Sequence, residues 1–120
     1  MRTAISISIL VLAAASTAGC NHGGDLEKVC AAFTQLAAEP RLPEMSHDAR
    51  MNFVNERVQE RLWSFSQVES LWRHVPNYES EARYRMFQRT AQDLLGREWH
   101  CPDMERLAPT LSVPAQEVSQ

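Results

Sequence analysis

Apolar residues return every three or four positions through most of this chain, and four such stripes can be traced. Leu26, Val29, Cys30, Phe33, Leu36 and Ala37 share one helical face and predict a first helix from about Leu26 to Ala38. Asp25 suits its N-cap, and Pro40 closes it by disfavouring helix at Glu39 and lacking an N–H. Met51, Val54, Val58 and Leu62, extended by Phe65, mark a second helix that starts after Ser46 and runs to about Leu62. Ser66-Gln67-Val68-Glu69 has the form of a capping box. It opens a third helix with Val68, Leu71, Trp72 and Val75 inward, closed by Pro76. Asn77 or Ser80 caps a fourth, from about Glu81 to Leu95, with Tyr84, Phe87, Ala91, Leu94 and Leu95 on its apolar side. Gly96 is its natural C-terminal stop.

Pro102 fits the first position of a short fifth helix, with Met104 and Leu107 inward and Pro109 at its end. From Thr110 the chain is polar and without period, and we expect disorder there. No stretch reads as a strand of convincing length. The pattern predicts an all-α fold, a small bundle of four helices plus a short fifth, over residues 25–109. Helix two is expected to be the central one. Glu81–Arg85, Arg89–Asp93 and Asp93–Arg97 are spaced as i,i+4 pairs along helix four.

The first twenty residues follow a different grammar. Arg2, the apolar run Ala4 to Ala15 and the small residues Thr17-Ala18-Gly19 before Cys20 have the layout of a secretory signal. The run is shorter than the about 20 apolar residues a spanning helix needs. Thr17-Ala18-Gly19-Cys20 resembles the lipobox of bacterial lipoproteins, although Thr17 stands where that family usually has Leu. The resemblance implies removal of residues 1–19 and acylation of Cys20, leaving residues 20–24 as a lipidated Cys and flexible tether. It makes the membrane a partner through acyl chains on Cys20. Cleavage after Ala18, with Ser16 and Ala18 as the small pair, is the alternative. By analogy with enterobacterial lipoproteins, Asn21 after the Cys, in place of Asp, suggests the outer membrane and a domain facing the periplasm.

Charge narrows the partners. The chain has 12 Lys+Arg against 15 Asp+Glu. Loss of residues 1–19 would remove only Arg2 among the charged residues and lower the net charge of −3 by one unit. This leaves no basic footprint for nucleic acid and no polybasic patch for anionic lipid.

Three cysteines are present. An odd number in an exported chain calls for an explanation, and acylation of Cys20 would leave Cys30 and Cys101 as a pair. A Cys30–Cys101 disulfide would staple the first helix to the last segment. The domain is small, and exported domains of this size often rely on such bonds.

Other chemistry is sparse. His22, His47, His74 and His100 show no i,i+4 metal spacing, and no Cys-x-x-Cys is present. No Gly-x-Ser-x-Gly elbow or phosphate loop occurs. Ser64 and Ser66 lie near Glu69 and His74 in sequence but read better as caps. Glu56 and Glu60 read as a solvated face. Arg50, Arg57 and Arg61 line one edge of helix two, as an anion-binding row or, more simply, as stems lying over apolar surface. We therefore expect no catalytic residues, no metal and no cofactor. Trp63 and Phe53 fall off the main stripe of helix two. They are expected to pack on helices three and four, the alternative being an exposed aromatic patch.

The segment Trp99-His100-Cys101-Pro102-Asp103-Met104, after a helix ending at Gly96, resembles small helical lipoproteins of proteobacteria. That resemblance brings a location and no activity. In outline, one cysteine in the first helix and one near the end are also similar to the pilotins of type II secretion, which carry a secretin segment to the outer membrane. The expectation is a membrane-anchored envelope lipoprotein whose helical domain is a binding or assembly module for an envelope protein. A groove lined by Phe53, Trp63 and Leu71 would be its partner surface. A structural lipoprotein without a specific partner is the alternative, and a small periplasmic enzyme ranks third.

Overall fold

The computed structural model describes residues 21–112. The signal stretch, Cys20 and the end of the polar tail lie outside the described residues. Five α-helices form, with no strand among the described residues: α1 His22–Ala37, α2 His47–Arg61, α3 Gln67–His74, α4 Arg83–Leu95 and α5 Pro102–Leu107. Short 3-10 turns occupy Leu42–Glu44, Val75–Asn77, Ser80–Ala82 and Ala108–Thr110. The fold is all-α, as the apolar periodicity predicts.

α1 begins four residues before the expected start. Asn21, not Asp25, is the cap: its side chain accepts from Gly24 N at 2.8 Å. This satisfies one of the N–H groups that a helix start leaves unpaired. A Cβ on Gly24 would come within 2.6 Å of the Asn21 amide, so the glycine makes room for its own cap. Residues expected to be a tether are thus the first turn of a helix. Asp25 is released from capping for another contact, described below.

The central helix is α1, not α2. It packs against α2, α3, α4 and α5. Leu26, Val29, Ala32, Phe33 and Leu36 are all fully buried along it. From α2 the core receives Val54 and Val58, with Leu62 just after the helix. From α3 it receives Val68, Leu71 and Trp72, and from α4 Tyr84, Phe87 and Ala91. Phe33 meets Trp72 edge-on, with centroids 5.7 Å apart, an arrangement worth about 0.5–1.5 kcal/mol beyond area burial. The Trp72 indole donates to Asn55 Oδ1 at 3.1 Å, so its polar edge is satisfied. Helix two lacked the centre because its apolar stripe is narrow, whereas α1 has few charges between its stripe residues.

The caps follow the sequence closely elsewhere. Ser46 accepts from Ala49 N. Ser66 accepts from Val68 N and Glu69 N. Only half of the expected capping box forms, because Glu69 turns to Arg73 at 3.0 Å and leaves the Ser66 N–H to Trp63 O. Gly96 takes φ 68°, and its N–H closes α4 on Gln92 O at 2.8 Å. The three i,i+4 pairs expected on α4 are not among the ion pairs of the described residues, where the helical pairs are Lys28–Asp25, Arg73–Glu69 and Arg106–Asp103. Such exposed pairs contribute little, so nothing holds long side chains in place.

Order continues past Pro109. Leu111 is 1% exposed, and Ser112 N donates to His47 O at 3.2 Å. Arg83 is the cause. It is fully buried and donates to the carbonyls of Ala108, Leu111 and Ser112 at 2.9–3.2 Å. A more distant contact reaches Tyr78 O at 3.4 Å. Burial lowers the Arg83 pKa. A buried guanidinium needs such carbonyls, and the carbonyls need it.

Candidate functional site

The disulfide is the firmest of the predicted features. Cys30 and Cys101 are bonded, with Cα atoms 5.8 Å apart across 71 positions of sequence. It joins the middle of α1 to the segment before α5. That segment is held from several sides. Cys101 N donates to the Tyr84 hydroxyl at 2.9 Å. Gln88 Nε2 donates to Trp99 O at 3.0 Å and lies 3.0 Å from His100 Nδ1. Trp99 N donates to Gln92 Oε1, and the Trp99 ring packs on Phe87 and Tyr84. The Tyr84 pKa is raised, first by burial and further by the Glu105 charge, against a lowering from the Cys101 N–H.

The three residues expected to share a partner surface do not meet. Phe53 is half-buried against the core, and its ring lies 3.3 Å under the Arg57 guanidinium carbon. Leu71 is buried. It floors a cleft of about 350 Å³ between α3 and α4, with Leu94 and Tyr78, rimmed by Gln67, Ser70, His74 and Thr90. Trp63 stands in the α2–α3 connector with 76% exposure, and Phe65 beside it with 85%. Their rings meet edge-on at 6.0 Å. Trp63 therefore does not pack on helices three and four, and the exposed patch is the pair Trp63–Phe65. Phe65 was misplaced on the stripe of helix two. Leu62 leaves the helix in extended backbone, so nothing beyond it continues that stripe. The signal was present as Ser64 and Ser66 flanking Phe65, since turn-favouring serines mark a connector. Of the two only Ser66 caps a helix, and Ser64, expected as a cap, makes no capping bond among the described residues.

This connector is tied to the start of α1. Ser66 Oγ donates to Asp25 Oδ2 at 3.1 Å. Gly23 faces the end of α4, where an added Cβ would lie 3.5 Å from Arg97 Nη2 and 3.7 Å from Leu95 Cδ2. The start of α1, the α2–α3 connector and the end of α4 thus share one end of the bundle. His47 and Ser112 meet at the N-terminus of α2, the far end of that helix from the connector.

The remaining candidates are dispersed over the bundle. Arg50 donates to Leu42 O, and Arg57 donates to Gln35 Oε1 and Phe53 O. Arg61 alone of the row is exposed. Ser66 is a cap. Ser64 and Glu69 line a second cleft of about 320 Å³ with Gln59, Leu62 and Arg73, while His74 lines the α3–α4 cleft instead. Glu56 and Glu60 are exposed. Among the described residues no three His, Cys, Asp or Glu side chains gather as a metal site. No helix among them is long and apolar enough to cross a membrane.

No family model, curated protein or solved structure matches this chain.

Proposed function

We propose that this chain is a lipid-anchored envelope lipoprotein whose helical bundle holds a segment of a partner protein in the α3–α4 cleft. The anchor reading rests on Thr17-Ala18-Gly19-Cys20 and on cysteine parity: with Cys30 bonded to Cys101, Cys20 is the one thiol left over. The observation that carries the binding reading is the cleft itself. Its floor of Leu71, Leu94 and Tyr78 is apolar and its rim is polar. That division suits the apolar face of an amphipathic helix, whose anchors recur at i, i+3, i+4 and i+7. The bundle supplies a rigid wall for it, since α3 and α4 both rest on α1.

Two measurements in the native host test this reading. Cys20→Ser should move the protein out of the membrane fraction or leave its signal uncleaved. A photoreactive amino acid at Thr90, on the cleft rim, should give one discrete protein adduct, and the same group at Glu56 should give none. The adduct should disappear when Leu94→Glu places a charge on the cleft floor. Equal labelling from positions 90 and 56 would refute the binding module and leave a structural lipoprotein.

A further inference from the structure

Trp63 and Phe65 stand out among the large apolar residues of the described chain because no fold reason explains them. At 76% and 85% exposure they contribute almost nothing to the core. Their place in the molecule is informative. Ser66, one residue after Phe65, is hydrogen-bonded to Asp25, and Asp25 N is in turn bonded to Asn21 O. Asp25 lies one turn, about 6 Å, above the helix start. Cys20 directly precedes Asn21, the cap residue, so its Cα is about 3.8 Å from that of Asn21. No residue intervenes between Cys20 and the cap of α1. Whatever holds Cys20 therefore acts on the end of the bundle that carries the aromatic pair.

We propose that the Trp63–Phe65 loop inserts into the interfacial layer of the bilayer in which the chain is anchored, and so fixes the bundle's orientation on it. The proposal rests on the lipid-anchor reading above. Aromatic rings with one wet edge concentrate at the boundary between headgroups and acyl chains. A second apolar contact beside an acyl anchor removes the rotational freedom that a lone anchor leaves. Exposed charge near this end is balanced, Arg61 and Arg97 against Glu60 and Glu98. Apolar insertion, not attraction to anionic lipid, is then the driving force, and neutral lipid suffices. With this end down, the α3–α4 cleft stays on the flank of the bundle, open to a partner.

The test uses the full mature chain in vesicles of phosphatidylcholine, with or without bromine on the acyl chains. Bromine quenches indoles at membrane depth, and the buried Trp72 and Trp99 supply the constant background. The expected result is a substantial loss of emission in brominated vesicles that Trp63→Phe abolishes, together with protection of Trp63 from aqueous acrylamide. Equal emission in both vesicle types, with Trp63 still open to acrylamide on a chain that pellets with the vesicles, overturns the proposal. It would assign the pair to a protein partner instead. Intact mass reads the anchor separately. Should Cys20 carry no acyl group, its thiol can be coupled to a maleimide lipid and the same quenching read on the tethered chain. Failure of the anchor reading and failure of the insertion are thereby told apart.

Discussion

The two connectors that carry a tryptophan make an instructive pair. Each follows a helix of similar length, and each places Trp outside an apolar stripe. Trp99 is 5% exposed, and Trp63 is 76% exposed. The difference is not hydrophobicity, since the residue is the same. Around Trp99 the backbone is held by Gln88 and Gln92 from α4, by the Tyr84 hydroxyl and by the Cys30–Cys101 bond. Around Trp63 the ties are the short turn closed by Ser66 N on Trp63 O and the Ser66–Asp25 bond three residues on, neither of which draws the indole inward, and its ring meets the equally exposed Phe65. An aromatic residue in a connector is buried when polar and covalent contacts bring its backbone to the core. Without them it remains where solvent, lipid or a partner can meet it. The indole of Trp99 even leaves its Nε1 without a partner inside the fold, a cost that the surrounding contacts outweigh.

The largest effect should come from opening the closed connector. Cys30→Ala with Cys101→Ala removes a cross-link across 71 positions, worth about 4 kcal/mol on the chain-entropy account. At about 4–8 °C per kcal/mol for a domain of this size, thermal melting should fall by more than roughly 15 °C. Trp99 emission should then become accessible to acrylamide before the helices melt.

Arg83→Met should follow, at about 2–3 kcal/mol, because it strips buried carbonyls of their donor. The carbonyls of Ala108, Leu111 and Ser112 would all lose their partner. Hydrogen exchange at Ser112 N, bonded to His47 O, should accelerate well before exchange in α1 does.

A smaller, pH-dependent effect belongs to Tyr84. Burial raises its pKa, so the fold prefers the neutral phenol, while the unfolded phenol ionises near its ordinary value of about 10. This contribution to stability is complete below about pH 10 and declines as pH rises from there toward the folded pKa. Tyr84→Phe should remove that part of the alkaline decline in denaturant unfolding curves. It should also cost a little at neutral pH through the orphaned Cys101 N–H.

The smallest effect should come from the open connector. Trp63→Ser with Phe65→Ser should change the unfolding free energy by no more than about 0.5 kcal/mol, as for surface positions generally. A loss of several kcal/mol would mean that the pair supports the fold and would erase the contrast with Trp99.

Much of this architecture was legible in the sequence because its causes are local. Ser46, Ser66, Gly96 and Pro102 act within one turn of themselves, and apolar spacing marks each buried face. The disulfide was legible from parity and from Cys30 lying on a stripe. Part of what escaped depends on contacts distant in sequence. Arg83 reads as one more arginine of an exposed helix, yet it holds carbonyls 25 or more positions away. That long reach is why the chain stays packed past Pro109, at Leu111 and Ser112. The start of α1 escaped because two glycines at its front are poor helix formers, and only the geometry of Asn21 over Gly24 reveals the cap. Of the partner-surface candidates, Leu71 is the core residue its stripe predicts and also lines the α3–α4 cleft. Phe53 reads as a candidate for a partner and proves to be covered by Arg57.

On the lipid-anchor proposal, the orientation of the open connector and the use of the α3–α4 cleft both depend on which end of the bundle the membrane holds. That in turn depends on Cys20. Intact-mass spectrometry of the protein purified from membranes of its native host addresses this most directly. The account predicts a chain that begins at Cys20 and carries a diacylglycerol with at least one further acyl chain. A mature chain that begins at Gly19 with no acyl mass would contradict it.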